Sequence, residues 1–333
     1  MIDVYLCVTL YHLYVALLFI ESKNNRDNSV ILLDANDKQI YDNFCKYSEI
    51  LQANGYTVDL HMRSKIKNSI GLEVLEGRKQ YQRIEKNAGI KLKNGFNLYN
   101  FAWNCQYAYP VSTYFIKKCS TLFMMEEGAQ TAFVPAQPKI KILLKRLTGN
   151  IVDFYKLEKL DGIYIQKPDV FPQIWDKKKY LDLNGMVSNL DQRSKQRIIK
   201  VFLGDLYSKL VAYDFSNTGI VYTQALSEDK YISEETKIQH YTDVVDFYSR
   251  YAAPIVKLHP RDKTVYPFSS KILVLPSSIP SEVLGLIGIK FKYAIAICSS
   301  AVLTTNAEIK INLNENFNND QIFKLIPIEE DNM

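Results

Sequence analysis

Three short polar islands carry the side chains best suited to chemistry: Glu126-Glu127-Gly128, Lys257-Leu258-His259-Pro260 and Ser299-Ser300. Two adjacent carboxylates repel, and partial burial raises the pKa of at least one, which equips it to take a proton from a hydroxyl in a transition state. Gly128 permits a sharp turn and close approach of a ligand. A protonated His259 can bond a phosphate oxygen and stabilise a leaving group. Pro260 fixes the backbone after it toward extended geometry. Lys257, two residues back, shares a face with His259 on a strand. Ser299 and Ser300 stand where a strand hands over to a helix, whose N-terminal N–H groups and hydroxyls form an anion cradle. Pro280-Ser281-Glu282 adds a second helix start, with Pro in the first turn and a carboxylate that either accepts bonds from ribose hydroxyls or complements the helix dipole. Each island also has a plainer reading: a strand end with solvated acids, a turn histidine, an N-cap serine.

The elements around the islands decide between these readings. Each island follows an apolar run, Thr121–Met125, Ala253–Val256 or Tyr293–Cys298, of the kind found in strands buried on both faces. Open α/β sheets bind ligands just beyond the carboxyl ends of such strands. The first half alternates strands (Ile2–Val8, Val30–Leu33, Thr57–His61, Phe96–Phe101, Thr121–Met125, Ile163–Gln166) with helices (Leu10–Glu21, Asp37–Ala53, Leu75–Ala88, and one near Gln106–Lys118). The second helix closes on an Asn54-Gly55 cap signal. Trp175–Asn189, charged and turn-rich, reads as an interdomain linker, and a helix over Asp191–Leu210 follows. A second alternation then begins: strand Gly219–Thr223, helix Ser233–Tyr251, strands to Leu258 and over Ile272–Leu275, a helix from Pro280, a strand to Cys298 and a helix from Ser299. Strand–helix alternation predicts parallel sheets with helices on both faces. Two such units, residues 1–180 and 181–333, predict Rossmann-like halves facing a central cleft.

At 333 residues, 47% hydrophobic and 23% charged, the chain has ordinary globular composition and suits two domains. A net charge of +5 fits an anionic small ligand or lipid surface better than duplex nucleic acid, whose binders usually carry a concentrated basic face. Cys7, Cys45, Cys105, Cys119 and Cys298 show no C-x-x-C spacing, which argues against a zinc site or disulfide framework and for a reducing compartment. Val4–Ile20 is apolar but interrupted by Thr9, Tyr11 and His12 and lacks a basic lead, so it fits neither a signal peptide nor a membrane span. The expected location is cytoplasmic.

Taken in order, the islands resemble the motifs of bacterial sialyltransferases: an acidic-acidic-Gly motif, a His-Pro motif and a later Ser-Ser or Ser-Thr motif. The chain looks most like glycosyltransferase family 52, which holds lipooligosaccharide and streptococcal capsular sialyltransferases. Tyr222–Asp229 resembles that family's opening of the nucleotide domain, and Cys7–His12 its first strand and loop. The resemblance implies a GT-B fold, a CMP-sialic acid donor, inversion at the anomeric carbon, no metal, and a galactose-terminated acceptor on a bacterial surface glycan such as capsule or lipooligosaccharide. It implies Glu127 as general base, with Glu126 the other member of the pair, and His259 as the group that bonds the departing phosphate. Ser299, Ser300, Lys257, Pro260, Thr9 and Gly128 would line the donor site, and Glu282 would bond the ribose. Glu stands here where Asp often does, so the base within the pair stays open. The chemistry is coherent: a monophosphate leaving group can be neutralised by an imidazole, hydroxyls and N–H groups, and no D-x-D motif occurs. Two alternatives stand beside it, a UDP-hexosyltransferase of the same architecture and a non-catalytic scaffold of a capsule machine.

Pro138–Leu147 places Ile140, Leu143, Leu144 and Leu147 on one helical stripe with Lys141, Lys145 and Arg146 on other faces. Such a helix lies on anionic lipid or packs its stripe on its own core. The first alternative would put a peripheral contact on the inner face of the cell membrane. Linkage, acceptor and oligomeric state, a homodimer included, are left open by the sequence.

Overall fold

The computed structural model describes residues 1–62, 70–87, 92–103, 108–126, 138–147, 150–170, 176–299 and 301–313. The chain divides into two compact units, Met1–Val201 and Phe202–Met333.

In the first unit, strands β1 (Ile2–Cys7), β2 (Ser29–Ala35), β3 (Thr57–Met62), β4 (Phe96–Asn100), β5 (Thr121–Met125), β6 (Leu160–Ile165) and β7 (Lys178–Tyr180) pair in the order β3-β2-β1-β4-β5-β6-β7. Every pairing is parallel. Helices α1 (Leu10–Ser22), α2 (Lys38–Ala53), α3 (Ile70–Asn87), α4 (Pro110–Lys118), α5 (Lys139–Leu147), α6 (Leu183–Asn189) and α7 (Gln192–Phe202) complete it, α7 ending at the division. β2 is buried along its whole length, as its uninterrupted apolar run requires. Asp37 caps α2 through Ile40 N–H at 2.9 Å, and Gly55, at φ +81°, turns the chain out of it.

The segment read as a linker is built differently. Lys178–Tyr180 extends the sheet as its edge strand and Leu183–Asn189 is helical. A charged edge strand carries no apolar run to announce it. Arg197 of α7 donates to the buried Glu21 carboxylate of α1 at 2.8 Å through Nε. The division therefore falls after Val201 rather than after residue 180.

The second unit contains α8 (Leu206–Val211), β8 (Thr218–Tyr222), α9 (Glu234–Tyr248), β9 (Ala253–Lys257), β10 (Leu273–Leu275), α10 (Val283–Leu286), β11 (Phe291–Ile297), α11 (Ala301–Thr304) and β12 (Ala307–Leu313). Its sheet runs β10-β9-β8-β11-β12, again all parallel. The single helix expected over Asp191–Leu210 is broken by Gly204 at φ +47° into α7 and α8. The helices expected from Pro280 and Ser299 are four residues each, starting at Val283 and Ala301. β12 was not foreseen, because only alternate residues of this edge strand are buried toward its end.

Both sheets place their first strand centrally and wind outward on either side, which leaves a switch point between β1 and β4 and another between β8 and β11. In the second sheet Gly219 of β8 lets Tyr293 of β11 lie across it. A Cβ there would stand 1.7 Å from the Tyr293 ring. That ring cannot swing away, since its hydroxyl donates to Tyr248 O at 2.7 Å and Ala252 O at 3.0 Å. Gly219→Ala is expected to destabilise the protein by about 1–3 kcal/mol through overpacking. Urea denaturation checks this, and adding Tyr293→Leu in the same chain should recover part of the loss.

Candidate functional site

Register brings the second-unit candidates to one edge. Tyr222 pairs with Lys257 and with Ala296, and Lys257 with Leu275. The segments beyond β8, β9 and β11 therefore leave the sheet at the same level, beside its switch point. There Thr223 pairs with His259 and Gln224 with Cys298, while Ser299 is held from β12. His259 N–H donates to Thr223 Oγ1 at 2.9 Å. Gln224 Nε2 donates to Cys298 O at 3.2 Å, bridging the switch point. Ser299 is buried, and its N–H donates to Asn312 Oδ1 at 3.1 Å. Cys298 has φ +53°, a left-handed conformation that costs a non-glycine residue about 1–3 kcal/mol. This backbone reversal at the end of β11 orients Ser299.

The His-Pro motif is a four-residue turn. Asp262 N–H donates to His259 O at 3.0 Å, with Pro260 in the second position, where its fixed φ suits the turn. Arg261 N–H donates to His259 Nδ1 at 3.1 Å. With Nδ1 accepting, the neutral ring carries its proton on Nε2. Burial, then the neighbouring Arg261 and Lys257 cations, hold the imidazole down at about 4, against the opposing pull of Asp262 and Asp229. The ring therefore favours its neutral form in the free protein near pH 7. It is a donor through Nε2–H even so.

Lys257 is the last residue of β9 and is buried. Because the strand ends there, the pleat no longer fixes a shared face with His259. Burial lowers the Lys257 ammonium to about 7, partly offset by Glu282. Glu282 stands at the N-cap of α10 without a capping bond from its side chain, and Ser281 Oγ donates to its Oε2 at 3.1 Å. Its carboxyl is raised by burial. Four-residue helices contribute little dipole, so α10 and α11 do not supply the helix-end anion cradle that the sequence suggested.

In the first unit, Glu126 follows β5 and is buried. Its N–H donates to Tyr164 O at 2.9 Å and its Oε2 accepts from Gln166 N–H at 2.8 Å. Burial raises this carboxyl against those bonds. Glu126 thereby ties the end of β5 to the end of β6. Thr9 caps α1, accepting from His12 N–H at 3.2 Å, and His12, fully buried, accepts from Val8 N–H at 3.2 Å and stacks on Phe101 at 4.8 Å. Glu127, Gly128 and Ser300 lie outside the described residues, as does Cys105. Cys7, Cys45, Cys119 and Cys298 are free thiols. Among the described residues, no cluster of three or more His, Cys, Asp or Glu side chains gathers as a metal site would.

Sequence reading missed the charged groups beneath the His-Pro turn. Lys237 of α9 is fully buried and bonds Asp262 Oδ1 at 2.7 Å and Glu228 Oε2 at 2.8 Å. Arg261 forms a two-pronged pair with Asp229 at 2.6 and 2.7 Å. Glu228 and Asp229 fall in the Tyr222–Asp229 segment already marked by resemblance, but nothing in the pattern of α9 distinguishes Lys237.

Two doubly wound, all-parallel α/β units with polar clusters at the strands' carboxyl ends define the GT-B class of glycosyltransferase folds. The fold resembles that of the α/β-galactoside α-2,3-sialyltransferase of Photobacterium phosphoreum (TM-score 0.57, 12% identity, covering 97% of this chain and 94% of that one). It is also similar to a sialyltransferase from Photobacterium damsela (TM-score 0.54, 13% identity, covering 96% and 76%). The chain belongs to the alpha-2,8-polysialyltransferase (POLYST) family, which it matches over residues 3–312. The resemblance to bacterial sialyltransferases of the family 52 type holds. An uncharacterised protein of Haemophilus influenzae is 29% identical over 195 residues, a match spanning 58% of this chain and 61% of that protein's length.

The lowered His259 pKa has a measurable consequence. The folded ring refuses a proton that the unfolded chain accepts below about 6.5, so this contribution to stability is complete above that pH and is lost as pH falls toward 4. The wild type should lose stability more steeply than His259→Asn between those pH values. Parallel chemical denaturation curves across that range check it, and equal slopes would contradict the assignment.

Proposed function

We propose that this protein is an inverting sialyltransferase that moves sialic acid from CMP-sialic acid to a galactose-type hydroxyl of a bacterial surface glycan, without a metal ion. The observation that carries this reading is the cluster at the carboxyl edge of the second sheet: an imidazole whose Nε2–H is free of the Arg261 contact, a buried ammonium and a buried serine, in a chain of a sialyltransferase family. In the proposed step the acceptor oxygen forms a bond to the anomeric carbon as the bond to the CMP phosphate oxygen breaks. The acceptor proton passes to Glu127. The electron pair leaves on the phosphate, where His259 Nε2–H, Lys257 and Ser299 lower its cost. Glu126 is engaged by the Gln166 N–H, which favours Glu127 as the base.

An incoming phosphate would favour the charged forms of Lys257 and His259, both lowered in the free protein. Donor binding should therefore draw in protons near pH 7. Titration calorimetry with CMP, repeated in buffers of different ionisation enthalpy and with chelator present, should show binding with proton uptake. Binding of UDP but not CMP would replace this donor with a UDP-sugar. Glu127→Gln should lower the transfer rate by at least about 100-fold while CMP still binds. Full rate in that variant would remove Glu127 from the base role, and product analysis on a galactoside panel gives the linkage.

The reading extends to where the enzyme works. No residue of α5 is buried; Ile140 is 64% and Leu147 74% exposed, and Leu143 is exposed on the same stripe. The helix carries Lys139, Lys141, Lys145 and Arg146 and no acid. This composition suits shallow binding to anionic lipid at the inner face of the cell membrane, bringing a lipid-linked acceptor to the enzyme. Among the described residues no helix is long and apolar enough to cross a membrane. Ile140→Glu with Leu147→Glu should weaken binding to phosphatidylglycerol vesicles by about tenfold or more, since two buried apolar anchors are lost. Equal co-sedimentation of wild type and variant would refute the role of α5.

A further inference from the structure

Beneath the His-Pro turn lies a charge cluster that the transfer step above does not use. Lys237 has no solvent exposure, and its ammonium is held between Asp262 and Glu228. Asp262 is bonded at both oxygens: Oδ1 also accepts from Thr264 N–H at 3.0 Å, and Oδ2 from the Tyr266 hydroxyl at 2.8 Å. Glu228 accepts from Lys263 N–H at 2.7 Å. Burial alone would push the Glu228 carboxyl up, yet the Lys237 ammonium and the Lys263 N–H bring it down to about 2. A buried ion cluster of this sort adds little net stability compared with apolar packing of the same volume, but it fixes geometry, because leaving any member unpaired is costly.

The cluster is attached at the position that matters for His259. Asp262 closes the turn through its N–H to His259 O at 3.0 Å, while the other end of the turn is held by His259 N–H on Thr223 Oγ1 at 2.9 Å. Between these fixed ends, Arg261 N–H reaches Nδ1 of the ring, and the Arg261 guanidinium is pinned to Asp229. The backbone of residues 259–262 can then present only one N–H to the imidazole.

We infer that Lys237, with Asp262 and Glu228, is a positioning group that locks the His-Pro turn so that His259 is held as its Nε2–H tautomer, with that N–H available to a phosphate. None of the three touches the reacting atoms in this assignment; they act through the turn. The inference rests on the proposed role of His259, but its central readout does not.

The test uses the full-length protein and long-range proton–nitrogen NMR on its imidazoles. In the wild type, His259 should show a protonated Nε2 and a bare Nδ1 from pH 6 to 8. A protonated Nδ1 overturns the inference. Asp262→Asn keeps the shape of the side chain and removes its charge, and Lys237→Met removes the cation. Each should convert His259 to a mixture of tautomers and lower kcat on the order of 100-fold, the scale of a misplaced group near the reacting centre, with the KM for the acceptor unchanged. If Lys237→Met does not fold, Asp262→Asn decides alone. An unchanged tautomer and rate in a folded variant sinks the inference. A wild type with the expected tautomer that transfers nothing from CMP-sialic acid refutes the donor assignment while supporting the lock.

Discussion

Parallel strand pairing in the second sheet is the constraint on which the site depends. Once Tyr222, Lys257 and Ala296 are in register, three connections must leave the sheet side by side, each with backbone groups that no further strand will satisfy. Side chains satisfy them instead: Thr223 Oγ1 takes the His259 N–H, Gln224 Nε2 reaches Cys298 O, and Asn312 Oδ1 of β12 takes the Ser299 N–H. The side chains of the candidate site are thus placed by the need to pair N–H and C=O groups at the sheet's edge. Gly219 contributes from within the sheet, by giving Tyr293 the room that lets β8 and β11 pack as they do.

Electrostatics then divides the second unit into two kinds of cation. Lys237 is buried with its counter-charges supplied by Asp262 and Glu228. Lys257, buried, and His259, partly buried, have no carboxylate bonded to them in this way, and desolvation holds both toward their neutral forms. Desolvation without compensation is costly in a finished structural interaction, but it suits a site whose missing charge arrives with the ligand. The lowered proton affinities of these two groups in the free protein follow from that desolvation.

The first unit uses a carboxylate differently. Glu126 sits at the same topological position as the second unit's candidates, just past the end of a central strand, yet its Oε2 serves the neighbouring strand through Gln166 N–H. Of the two adjacent acids, the sequence alone could not say which is structural. In α5 the helix predicted from the stripe of Ile140, Leu143, Leu144 and Leu147 is present, and the choice between core packing and a lipid-facing surface falls away from the core, because none of its residues is buried.

Most of the strands were legible because continuous apolar runs such as Val30–Leu33 and Tyr293–Ile297 have no place except inside a parallel sheet, and the start of α2 because Asp37 caps it in the expected way. The order of the acidic, His-Pro and Ser-Ser motifs likewise carried the family. What the sequence could not reveal was the edge strands Lys178–Tyr180, with no buried residue, and Ala307–Leu313, buried only at alternate positions toward its end, and the shortness of α10 and α11. Nor could it reveal Lys237. A lysine in mid-helix looks the same whether it faces water or two carboxylates, since local pattern records the propensity of a residue and not its partners. Only tertiary folding brings Glu228 and Asp262, 9 and 25 residues away along the chain, to its ammonium.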